Sequence, residues 1–164
     1  MKKVIFSAAL ALITFATQAQ NQDLPKTSIR DVNGKQVAFN ETIEKGKVTL
    51  ISFWATWCIP CKQEIKNIKG KLADWQKEAD FNYMTVSVDD ARATAMVKTY
   101  AKSQGWTFPT YVDPNSDLKR SLNFQNVPFV IIVDKNGKIA FQHTGYEEGG
   151  ENELFEKVKE LAKK

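Results

Sequence analysis

The stretch VTLISFWATWCIPCKQEIKNIKGKLADW, residues 48–75, constrains the fold more than any other part of the chain. Val48 to Trp54 is near-continuously apolar, as a central strand covered on both faces must be. From Cys61 the period changes. Ile65, Ile68, Leu72, Trp75 and Ala79 step by three and four, which marks an amphipathic helix. Phe81 to Val88 then reads as a second strand, and a strand-helix-strand unit calls for a sheet with helices packed on it.

The flanking segments extend this pattern. Thr27 to Phe39 reads as a hairpin around Asn33-Gly34, a dipeptide that tolerates positive φ in a tight turn. Ala93, Met96, Val97, Tyr100 and Ala101 give a second helix face. Thr107 to Val112 is a short extended piece, and Leu118 to Leu122 a short helix. Val127 to Val133 and Lys138 to Thr144 flank Asn136-Gly137, a second hairpin. Leu154, Phe155, Val158, Leu161 and Ala162 mark a closing helix. The order predicts an α/β fold, a mixed sheet with helices on both faces.

The N-terminus reads as an export signal. Met1-Lys2-Lys3 is positive, Val4 to Ala16 is apolar apart from Ser7 and Thr14, and Thr17-Gln18-Ala19 ends in small-x-small. A cut after Ala19 leaves one domain, residues 20–164. The apolar run of about 13 residues is short of the ~20 that span a bilayer, and no second long run follows, so no membrane insertion is expected after cleavage. The first cysteine is Cys58, which excludes a lipid-bearing cysteine at the cut. Loss of Lys2 and Lys3 brings the net charge to about +2, with both signs interspersed, which gives no footprint for nucleic acid or an anionic membrane.

Cys58 and Cys61 are the only cysteines. As a structural disulfide they would close too small a loop to constrain much of the unfolded chain. A zinc site needs four ligands, and the chain offers these two and His143, so no metal and no other cofactor is expected. The redox reading fits the position. Cys58 falls after a buried strand at the start of a helix, where free backbone N–H groups and the helix dipole favour a thiolate, hence a nucleophile. Cys61, one turn further and more buried, suits the resolving role. Pro60 lacks an N–H where none is needed. Glu64 lies one turn beyond Cys61 on the side of Ile65 and Ile68. Trp54 reads as core and Trp57 as an exposed apolar rim for a partner. His143 reads as a plain strand residue, and Tyr146 to Glu151 as a solvated loop.

The segment FWATWCIPCKQE resembles the active-site stretch of thioredoxin-like proteins, and more closely the TlpA/ResA branch of exported thiol–disulfide oxidoreductases. The resemblance covers nearly all of the mature chain, through IRDVNGKQVAF, VTLISFWATW, an inserted strand and helix between Phe108 and Asn123, and NVPFVIIVDKNGKIAFQHTG. It implies a thioredoxin-like fold with an N-terminal hairpin. Val127-Pro128 matches the family's cis-proline loop, which faces the cysteines and offers backbone groups to substrate. Ser52 stands where cytosolic thioredoxins carry a buried Asp, and Glu64 matches the acid of the TlpA/ResA pattern.

The resemblance further implies a periplasmic, monomeric disulfide reductase. It would keep the thiols of apocytochrome c or other exported proteins reduced, and a membrane thiol transporter would recharge it. Two alternatives stand beside it: a thiol oxidase or isomerase running the same steps, and a redox-inert binding module on the same fold. Ile59-Pro60 lacks the His of strongly oxidising relatives, which favours a reductant.

Overall fold

The computed structural model describes residues 22–164, and the expected signal segment, residues 1–19, lies outside the described residues. In chain order the elements are β1 (Gln22–Asp23), β2 (Ser28–Asp31), β3 (Gln36–Ala38), a 3₁₀ turn (Phe39–Thr42), β4 (Val48–Trp54), α1 (Ile59–Glu78) and β5 (Phe81–Ser87). There follow α2 (Thr94–Ser103), β6 (Thr110–Val112), α3 (Asp117–Ser121), β7 (Phe129–Val133), β8 (Lys138–Thr144) and α4 (Gly150–Ala162).

Eight strands form one sheet in the order β1-β8-β7-β4-β5-β6-β2-β3. β4 lies inside it, parallel to β5 from Val48↔Phe81 to Trp54↔Ser87 and antiparallel to β7 from Thr49↔Val133 to Phe53↔Phe129. All seven residues of β4 are buried, which accounts for its unbroken apolar run. The strand's alternation divides the core. Ile51 and Phe53 pack with Ile29, Phe39, Val86 and Leu118 under the 3₁₀ turn and α3. Leu50 packs with Ile68, Trp75, Ile132 and Phe155 under α1 and α4. A third cluster, with Trp54, Cys58, Cys61, Ile65, Val97 and Val112, closes the end of β4 where the chain turns into α1.

Both hairpins use the same turn, Asp-x-Asn-Gly-Lys. Asp31 accepts the Asn33 and Lys35 N–H groups, and Asp134 accepts those of Asn136 and Lys138. Gly34 at φ 90° and Gly137 at φ 77° take the left-handed position that each turn requires. The first hairpin joins the sheet through Arg30↔Val112, on the inserted strand β6.

α1 starts at Ile59 with Cys58 as its cap, the Cys58 sulfur accepting the Cys61 N–H at 3.3 Å, as expected of a cysteine at a helix start. Two features depart from the expected layout. β1 is an unexpected edge strand, two exposed residues defined by pairing with β8. The solvated loop expected over 146–151 fails at its end: Glu151 lies in the first turn of α4 and is 2 % exposed, because Lys71, Tyr146 and the Gly149 N–H satisfy its carboxylate.

Candidate active site

Cys58 and Cys61 form a disulfide with a Cα–Cα distance of 5.4 Å. Cys58 caps α1, its N–H donates to Ala55 O at 3.0 Å, and its carbonyl accepts from the Lys62 N–H. The Cys61 N–H, one of the free donors at the start of α1, faces the Cys58 sulfur, at the helix end where negative charge is best stabilised. Cys58 is 4 % exposed and Cys61 fully buried, so Cys58 is the more accessible of the two.

The turn that carries Cys58 is held from β5's end. Asp89, buried, accepts the Thr56 N–H at 2.8 Å and the Thr56 hydroxyl at 2.7 Å, and also the Ser87 hydroxyl at 2.6 Å. Lys62 donates to the Thr56 carbonyl and lies 5.3 Å from the centre of the Tyr100 ring. Thr56, two residues before Cys58, is thus pinned on three sides. Sequence reading missed Asp89, since nothing local in VSVDD points to a partner 33 residues away.

Glu64 projects from α1 into the interior and is 1 % exposed. Burial pushes its carboxyl up to about 8; the neighbouring Ser52 hydroxyl pulls it back, and the charge of Glu151 adds to the rise. Tyr83 reaches the same spot from β5 and donates to Ser52 Oγ at 3.2 Å; its phenol is raised as well, first by burial. Ser52, the departure noted in the sequence, therefore lines the Glu64 site. Glu64 is an interior acid of the helix's first turns and does not face water. A carboxyl held near 8 keeps its proton over a wider pH range than an ordinary acid.

The remaining expected residues converge on the same end of the sheet. The Val127-Pro128 peptide bond is cis, and Val127 packs on the cluster that contains both cysteines. Pro60 sits in the first turn of α1, and Trp57 and Ile59, at 69 % and 77 % exposed, stand on either side of Cys58 as an apolar rim. Trp54 is fully buried, edge-on to Trp106 at 4.9 Å. His143 is an exposed β8 residue. Among the described residues, no three His, Cys, Asp or Glu side chains gather as a metal site.

The comparisons with known proteins agree with this geometry. The AhpC/TSA family matches residues 18–142. A thioredoxin-like protein from Porphyromonas gingivalis, solved in solution, is 44% identical, covers 88% of this chain and 94% of its own, and superposes with a TM-score of 0.77. The thiol-disulfide oxidoreductase ResA of Bacillus subtilis is 25% identical over 127 residues, 77% of this chain and 68% of ResA. The thioredoxin-like protein YneN of the same organism is 28% identical over 129 residues, 77% of this chain and 72% of YneN. The family match runs through the cysteine pair and the strands on either side of it, and the chain belongs to the AhpC/TSA family as a thiol–disulfide oxidoreductase of the thioredoxin-like superfamily.

Proposed function

We propose that this protein is exported, cut after Ala19, and works as a monomeric protein-disulfide reductase of the periplasm, residues 20–164 forming the working domain. Its substrates are disulfides of other exported proteins, apocytochrome c among them, and a membrane thiol transporter returns it to the dithiol form. The observation that carries the reading is the buried Glu64 carboxyl one helical turn beyond a cysteine pair of unequal exposure.

The cycle starts from the dithiol. The Cys58 thiolate attacks one substrate sulfur, the substrate S–S bond breaks, and the first substrate thiolate leaves and takes a proton. Glu64 in its carboxylate form takes the Cys61 proton, and the Cys61 sulfur then attacks Cys58 Sγ. The Cys58–Cys61 bond forms, the mixed disulfide breaks, and the second substrate thiolate leaves. Two electrons pass from enzyme to substrate. The Trp57 and Ile59 rim offers apolar contact to the substrate segment, and the backbone at Val127-Pro128 offers hydrogen bonds, with Pro60 shaping the turn between the cysteines.

Trapping tests the assignment of roles. Cys61→Ser is expected to accumulate mixed disulfides with partner proteins, and Cys58→Ser to trap few, as seen on non-reducing gels of periplasmic extracts. Faster alkylation of Cys61 than of Cys58 in the reduced protein at neutral pH would reverse the roles. The reduction potential, measured against glutathione, separates reductant from oxidase.

A further inference from the structure

Glu64 also borders a cavity of about 40 Å³, shared with Phe141 and His143 of β8, Tyr146 and Glu147 of the following loop, and Gly150 and Glu153 of α4. Neither cysteine lines it. A water needs about 10–15 Å³ of such space and two or more polar partners, so there is room for about three. The polar partners are present. Glu64 Oε2 is buried with no protein partner, and a buried carboxyl oxygen left bare is rare unless water meets it.

The sheet register connects this cavity to the surface. Ser52 pairs with Val130, and Val130 pairs with His143, so the three lie in one row on the same face of the sheet. His143 is therefore about 10 Å from Ser52, two strands away at roughly 4.8 Å each. It is exposed at the cavity's outer side, and an imidazole both accepts and donates a proton.

We propose that this cavity is a back door for protons, through which water carries the proton that Glu64 takes from Cys61 to His143 and on to solvent. The need arises from the cycle itself, and the inference rests on the role given to Glu64 above. During resolution the substrate covers Cys58, while Cys61 and Glu64 have no solvent contact of their own. The departing substrate thiolate takes its proton from solvent as Glu64 passes one out through the cavity, so charge and protons balance without the front face reopening. The groups facing the path are Ser52 from β4, Tyr83 from β5, His143 from β8, Tyr146 and Glu147 from the loop, and Glu151 and Glu153 from α4. Glu151 is neutralised by Lys71 at 2.7 Å. Glu147 and Glu153 line the cavity together with His143.

The test uses full-length reduced protein and a disulfide-bonded peptide, with single-turnover resolution of the mixed disulfide followed from about pH 6 to about pH 8. His143→Ala is expected to slow resolution on the order of tenfold, and added imidazole to restore it, with Cys58 alkylation unchanged and no effect of imidazole on wild type. Gly150→Leu places a side chain where a Cβ meets no atom within 4 Å, and is expected to slow resolution without imidazole rescue. A wild-type rate in either variant, or a His143→Ala deficit that imidazole leaves untouched, overturns the route. Glu64→Gln is run alongside. If it resolves at the wild-type rate, the role of Glu64 itself fails; if it is slow while the two cavity variants are not, only the back door fails.

Discussion

Glu64 has an energetic signature that can be read apart from catalysis. Its carboxyl sits at about 8 in the folded oxidised protein against 4.5 as the ordinary value, so the folded state holds a proton that the unfolded chain gives up. A raised acid of this kind costs nothing below about pH 4.5, and stability is lost as pH rises from there through about 8. At about 1.4 kcal/mol per unit the loss is at most roughly 5 kcal/mol. Oxidised Glu64→Gln is neutral at every pH and is expected to overtake wild type between about pH 5 and about pH 9, read as the difference in Tm between the two proteins. Parallel Tm curves would mean that Glu64 is solvated when folded. The residue's place was legible in the sequence, because three positions beyond Cys61 puts it on the Ile65 and Ile68 side of the helix. Its neighbours were not. Ser52, Tyr83 and Glu151 reach it from three other elements, and no local pattern encodes that meeting.

At the scale of elements, strands were legible where burial gives them a pattern: β4 and β8 run over the residues their hydrophobicity marks, and both Asn-Gly turns fall in hairpins. β1 was not, since two exposed residues carry no periodicity and become a strand only by pairing with β8. The contact between α1 and α4 was equally hidden. Asn67 donates to the Tyr146 hydroxyl at 2.6 Å, Tyr146 donates to Glu151 at 3.0 Å, and Lys71 donates to Glu151 at 2.7 Å. Burial pushes Glu151 up, yet the Lys71 ammonium, its own backbone N–H and the Tyr146 hydroxyl outweigh this and hold it below the usual range. Lys71→Met leaves that carboxylate inside without its cation. Because Lys71 is itself 41% exposed, the expected loss is about 1–3 kcal/mol rather than the full cost of a buried pair. Adding Glu151→Gln is expected to recover much of it, measured as a coupling energy in urea unfolding. Strict additivity of the two changes would show that the pair carries no interaction.

Across the whole molecule, the core divides into clusters whose buried members are distinct, and the cysteines lie in one of them. The packing under α4 and the turn that carries the disulfide are therefore separate. The closing helix α4 shows it best. Phe155 is 4% exposed, stacks on Trp75 with ring centres 4.5 Å apart and planes within 3°, and lies 6.0 Å from Phe81. Its cluster seals the α1 and α4 face of the sheet, and no buried member of it belongs to the group around Cys58. Phe155→Ala removes a ring from a packed interior and leaves a cavity, which costs about 3–5 kcal/mol. Set against a typical total of about 5–15 kcal/mol, the domain stays folded at low temperature but with a much lower urea midpoint. The disulfide turn keeps its support from Asp89, Lys62 and the α1 cap, none of which touches Phe155. The alkylation rate of Cys58 in the folded variant is therefore expected to match wild type while the urea midpoint falls. If that rate changed along with the midpoint, the α4 cluster and the cysteine turn would form one cooperative unit.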